Sequence, residues 1–184
     1  RDELASVLAH ELSHVTQRHI ARGFVNSKRQ SMLGIAAMIL GVIAASRSGN
    51  ADVANAAIVG GQAAAIQGQL NFSRDMEREA DRVGFAVMTG AGFASGGMAA
   101  MFEKLDQSSR LNDSGGFPYL RSHPLTSERI GEARSRIGAQ AEARAAITLE
   151  HALAQARARV LMDSRTDALR RWQATDAELA PGAT

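Results

Sequence analysis

Apolar residues recur at helical spacing along this chain, in segments parted by small and polar residues. Residues 1–19 already follow a helical pattern, with no capping residue ahead of Arg1. After the polar run Asn26–Gln30 come two apolar stretches. The first, SMLGIAAMILGVIAA (Ser31–Ala45), lies in a charge-free interval between Arg29 and Arg47, and the second, Val53–Ile66, is weaker and rich in Ala and Gly. Between them SRSGNAD is a turn signal, so residues 30–66 predict a helical hairpin. The first interval sits at the lower edge for spanning a bilayer, where about 20 residues are needed, and Asn55 and Gln62 make the second too polar to span. Short apolar runs are more often buried, so the hairpin is expected to pack in the core. The sharper alternative is a surface hairpin that touches membrane or guards a cleft.

Phe72–Gly84 reads as a further helix ending near Gly90–Gly92, whose glycines can take left-handed conformations. Ser95 then caps a helix through Leu105, with Met98, Met101, Phe102 and Leu105 on one face. Gln107–Arg121 has the Ser, Asn, Asp, Gly and Pro content of a loop. Beyond it Ile130, Ala133 and Ile137, then Leu149, Leu153, Ala156, Val160 and Leu161, then Leu169 and Trp172, keep helical spacing. The predicted protein is mainly α, with a principal domain over residues 1–145 and a helical pair over 146–184.

Composition narrows the function classes. The 184 residues suffice for one ordinary domain and a small appendage. There is no cysteine, hence no disulfide and no thiolate metal site. A net charge of +2, interleaved Glu and Arg in the C-terminal part, and few aromatic residues (Phe 6, Trp 1, Tyr 1) argue against a nucleic-acid partner.

The chemistry concentrates in HELSH, residues 10–14. His10 and His14 are one helical turn apart, so both imidazoles can reach one metal ion from the same face. Glu11 flanks that face and can act as general base on water beside the metal. This is the HExxH pattern of zinc peptidases, whose catalytic sites use three protein ligands. The positions for a third histidine shortly downstream hold Gln17 and Ile20, which excludes that completion. The Phe72–Gly84 helix offers the other. Glu77 and Asp81 are four apart on one face, whereas Glu79 is turned about 200° from Glu77. Glu77 can therefore ligate, while Asp81 accepts from the far N–H of a ligand histidine and fixes its tautomer.

His123 precedes Pro124, which biases it to an extended conformation at the start of the next helix. It could donate to an oxyanion, or fill the metal's open position as a fourth ligand and hold the site shut. Arg129 could bind a substrate carbonyl or orient an acidic neighbour. Tyr119, the only phenol, is a weaker oxyanion donor, and His19 and His151 have no assigned role.

Taken together, HELSHVTQRHIAR, SRDMEREADRVG and RSHPLTSER resemble the membrane-linked gluzincin metallopeptidases, the family of the CAAX prenyl protease, HtpX and BepA, and within it the BepA-like (YfgC-like) periplasmic group. The resemblance covers residues 2–162. It implies a gluzincin-type core with an HExxH helix and a Glu-bearing helix, zinc on His10, His14 and Glu77, and Glu11 as base. It also implies that His123 and Arg129, matching an HPxxxxR pattern, lie near the cleft.

In that family a β-hairpin before the HExxH helix aligns an extended substrate; it is absent here, and the chain is expected to be an internal fragment. The resemblance further implies a periplasmic, membrane-associated metalloendopeptidase acting on protein or peptide substrates. Those would be unfolded or misassembled envelope proteins, with the membrane surface and the outer-membrane assembly machinery as partners. Residues 146–184 would begin a tetratricopeptide-like repeat domain. Two other readings stand beside this: a latent protease acting as a chaperone or scaffold for membrane-protein assembly, and a membrane-embedded prenyl-peptide or stress protease.

Overall fold

The computed structural model describes residues 1–49, 51–111, 118–137 and 148–178. As expected, the described residues are helical with no strand. The helices are α1 (Asp2–Thr16), α2 (His19–Ser48), α3 (Ala51–Gly90), α4 (Gly96–Leu111), α5 (Pro118–Ser122), α6 (Ser127–Ser135), α7 (Leu149–Met162) and α8 (Thr166–Glu178). The chain divides into two compact units, Asp2–Ala143 and Arg144–Thr184. The expected boundary at 145/146 lies outside the described residues.

In the first unit the core is small and built where α1, α3, α4 and α6 meet. Ala9, Met88, Met98, Ala99, Phe102 and Ala133 are buried, with Phe85, Phe93, Leu105 and Ile130 packed against them. Small residues decide how closely α1 and α3 approach. Ala80 is fully buried, and a side chain on Gly84 would sit 3.0–3.1 Å from the backbone of Ala9 and His10. Backbone therefore lies almost on backbone there, which brings short side chains of both helices within reach of one point. Leu4, Leu8, Leu12 and Val15 face the other way and are exposed.

Two expectations change. The second arm of the apolar hairpin and the Glu77 helix are not separate elements but one unbroken helix, α3, of 40 residues. The hairpin also does not pack in the core. Met32, Leu33, Ile35, Ile39, Leu40, Val42 and Ile43 on α2 are exposed, and His19–Arg47 is long and apolar enough by length and composition to cross a membrane. The hairpin's own seam is built largely from small and polar residues and so buries little of its apolar side chain. Gly41 faces Ala57, and Gly61 faces Ala37, so the larger apolar side chains point outward. Similarly, α4 continues through Leu111 and Pro118–Ser122 is helical, which shortens the expected loop; residues 112–117 of it lie outside the described residues.

In the second unit, Thr148 caps α7 by accepting from the backbone N–H of His151, and Asp163 grips Arg165 at the turn into α8. No residue of α7 is buried.

The tight α1–α3 crossing gives a direct test. Gly84→Val should cost about 1–3 kcal/mol through overpacking. The melting temperature of the metal-free protein checks it, and an unchanged value would show that the helices can part freely.

Candidate metal centre

The close crossing of α1 and α3 sets two pairs of side chains against each other. His10 and His14 lie one turn apart on α1, Glu77 and Asp81 one turn apart on α3. His14 Nε2 is 3.0 Å from His10 Nε2, and Glu77 reaches both, at 3.5 Å from His10 Nε2 and 3.4 Å from His14 Nε2. The fourth member comes from the segment after α5. His123 Nδ1 is 3.4 Å from His10 Nε2 and 3.1 Å from Glu77 Oε1. One ligand atom from each of His10, His14, Glu77 and His123 thus falls within 4.8 Å of the others.

These spacings bear on what the cluster could hold. Four N and O donors about 2.0–2.2 Å from a zinc ion in tetrahedral array stand roughly 3.3–3.5 Å apart. Five of the six separations here lie at 3.0–3.5 Å, with Glu77 using both of its carboxylate oxygens, which is near that edge length. Moreover, Glu11 Oε1 is shut off from solvent without a hydrogen bond among the described residues, and Glu77 Oε2, also shut off, has only the charge contacts of Arg129 and His10. Buried carboxylate oxygens are seldom left so, and a cation and its water would satisfy them. The residues present therefore fit a zinc ion.

Behind this group lies a buried ion-pair network. Asp81 Oδ1 is 2.9 Å from His10 Nδ1, the nitrogen pointing away from the cluster. Arg129, 5% exposed, donates through Nε to Asp81 Oδ2 at 2.6 Å and through Nη2 to Oδ1 at 2.8 Å. Its Nη1 is 3.0 Å from Glu77 Oε2 and donates to the carbonyl of Pro124 at 2.8 Å. Of the two roles open for Arg129, the geometry matches the orienting one, since its donors are already engaged by acidic neighbours and the backbone.

The electrostatics follow from these contacts. Burial disfavours the charged His10, but Asp81 and Glu77 outweigh it and push its pKa up to about 9. His14 is lowered to about 4, first by burial and then by the nearby His10. Burial also opposes ionisation of Glu77, yet hydrogen bonds from His10 and His123 hold it far below the usual carboxylate range. Asp81 is likewise lowered against its burial, by Arg129 and His10.

All seven residues singled out from the sequence, His10, Glu11, His14, Glu77, Asp81, His123 and Arg129, meet in this one place. Glu11 lies at its open edge, with Oε1 3.6 Å from His123 Nε2. Two residues near the cluster carried no firm expectation. Tyr119 stacks on the His123 ring at 4.7 Å, and its hydroxyl pKa is raised by burial and by Glu11. Its spacing four residues before His123 is the only signal for this. His19 is 2% exposed and touches His14, a contact that a continuous helix would not permit.

The family model for peptidase family M48 matches residues 1–137. A putative beta-barrel assembly-enhancing protease of Vibrio cholerae is 41% identical over 158 residues, covering 84% of this chain and 31% of that protein. The beta-barrel assembly-enhancing protease of Escherichia coli is 38% identical over 134 residues, covering 73% of this chain and 27% of that protein. Metalloprotease LoiP of Escherichia coli is 28% identical over 142 residues, 75% of this chain and 50% of that protein. The chain thus spans about a third or less of the first two relatives. No solved structure matches it significantly.

Two measurements test the network. With its pKa near 9, metal-free His10 is protonated at pH 7 and must lose that proton before Nε2 can bind a metal. Zinc binding at pH 7 should therefore release a proton, and affinity should climb as pH rises towards 9. Calorimetric titration in two buffers of different ionisation enthalpy measures the release; none would contradict the raised His10. Arg129→Met should cost about 3–5 kcal/mol, because it strands two buried carboxylates. Chemical denaturation of the metal-free variant reads that loss, and a loss within error of zero would mean the network relaxes into solvent.

Proposed function

The chain belongs to peptidase family M48, and on that premise we propose that it is a zinc metalloendopeptidase hydrolysing peptide bonds in unfolded or misassembled envelope proteins. The observation that carries this reading is the convergence of His10, His14, Glu77 and His123 beside Glu11. In this reading His10, His14 and Glu77 are the ligands. Zinc, when bound, supplies a Lewis acid that polarises a carbonyl and makes neighbouring water more acidic. Every other element is protein. His10 and His14 present Nε2 lone pairs, and Asp81, backed by Arg129, holds the proton of His10 on Nδ1. Glu11, with Oε1 free of a hydrogen bond, takes a proton from water and returns it to the leaving amine.

His123 has two positions to serve. With Nδ1 in the ligand cluster it occupies the corner that water needs, and the site is closed. Once the segment from Tyr119 to Pro124 moves, the same imidazole can donate to the oxygen of the attacked carbonyl. Its stacking on Tyr119 and the Arg129 bond to the Pro124 carbonyl hold the closed arrangement.

Substrate class and location rest on the relatives and on α2. The names of the Vibrio and Escherichia relatives support a role in outer-membrane β-barrel assembly, hence the periplasm. Helix α2, which exposes large apolar side chains, carries Lys28, Arg29 and Arg47 besides the Glu79-paired Arg22, and has no acidic residue, suits an anionic membrane surface as partner. Residues 146–184 would then begin a repeat domain that binds assembly partners.

The test is cleavage of an unfolded β-barrel polypeptide by the intact protein. Glu11→Gln should lower the rate by about 10²–10⁴-fold, the range for losing a general base, with about one zinc per chain retained. His123→Ala should raise it if the closed corner limits turnover. Zinc without cleavage in all three proteins, together with biological function kept by Glu11→Gln, would turn the conclusion towards a scaffold.

A further inference from the structure

His19 is a buried histidine that the reaction above does not use. It follows α1 by way of a break: Gln17 and Arg18 turn, and Arg18 takes a left-handed conformation with φ 55°. On a continuous helix a residue five beyond His14 would lie about 140° round the axis. The break instead folds the first residue of α2 back, and His19 Nδ1 comes to 2.9 Å from His14 Nδ1, with the rings edge-on. The other ring nitrogen, Nε2, is 3.3 Å from Glu79 Oε2, and the same oxygen accepts from Arg22 Nη1 at 2.7 Å.

We infer that His19 is a positioning residue for the zinc site, holding His14 in the tautomer and orientation that the metal requires, with Glu79 and Arg22 as its support. The inference rests on the zinc reading above. Only one arrangement of protons satisfies every contact. His14 must offer the lone pair of Nε2 to the ion, so its proton sits on Nδ1 and is donated to His19 Nδ1. His19 therefore carries its own proton on Nε2 and donates it to Glu79, whose charge Arg22 partly balances. A carboxylate thus backs His14 through an intervening imidazole, just as Asp81 backs His10 directly. Both ligand histidines of α1 are braced from α3, by Asp81 on one side of the helix and by Glu79 on the other.

A histidine that merely fills the core would have no bearing on the metal, so the discriminating readout is zinc affinity in the intact protein, measured by competition with a chromophoric chelator. His19→Leu removes the acceptor and should weaken zinc about 10–100-fold, the usual cost of losing such a partner. His19→Asn sets an amide oxygen where Nδ1 was and should restore most of the affinity. Glu79→Gln, at the solvent side of the chain of contacts, should weaken zinc less and decides the matter if His19→Leu does not fold. The visible spectrum of the cobalt-substituted protein should change in His19→Leu and return in His19→Asn. A wild type that takes up no metal overturns the zinc reading and this inference with it. A wild type that binds zinc while His19→Leu and Glu79→Gln bind equally well overturns the inference alone.

Discussion

Asp81 and Glu77 face one buried guanidinium, and the geometry of the whole site follows from that contact. Neither carboxylate is accessible, and alone each would take up a proton and lose its power to attract a metal or an imidazole N–H. Arg129 lies against them with three of its nitrogens, keeping Asp81 ionised together with His10 and joining His10 and His123 in keeping Glu77 ionised. The same side chain binds the Pro124 carbonyl and covers the Phe102 ring at 5.0 Å, so it ties α3 to the His123 segment and to the core face of α4. Charge neutralisation, loop placement and core packing are thus three consequences of one residue.

The second constraint is steric. Ligands on two helices can converge within 3–4 Å only if the helices nearly touch, and short side chains at the crossing make this possible. Ala9 and Ser13 on α1 and Ala80 on α3 are buried, and Gly84 on α3 lies against the backbone of Ala9 and His10. The apolar core is small, which leaves ion pairs and small-residue contact to fix positions that larger side chains fix elsewhere.

These facts explain what could be read from the sequence. His10, Glu11, His14, Glu77 and Asp81 were legible because each pair sits on a single helix, where spacing alone determines the face. His123 and Arg129 rested on a motif, and only the fold shows why both are needed, the arginine fastening the carbonyl next to the histidine. His19 and Glu79 escape the same helical arithmetic, which turns Glu79 away from Glu77 and, along a continuous helix, would turn His19 away from His14. Spacing fails across a break, and nothing in GlnArgHis announces that Arg18 will take the left-handed region. The hairpin stays open between core and surface in the sequence for a different reason, since apolar composition measures a preference for leaving water and does not say whether protein or another apolar phase will be the destination.

That hairpin and the metal centre are not independent parts. α3 runs unbroken for 40 residues, about 60 Å of helix, from the hairpin tip at Ala51 past Glu77, Glu79 and Asp81 to Gly90. α2 begins at His19, so the base of the hairpin is where His14, His19, Glu79 and Arg22 meet. Glu79 at that root and Glu77 and Asp81 at the cluster sit on one stretch of α3, and the two-residue turn at Gln17–Arg18 joins α1 to α2 beside them. His10 thus contacts α3 through Asp81, and His14 contacts the first residue of α2 at the hairpin's root.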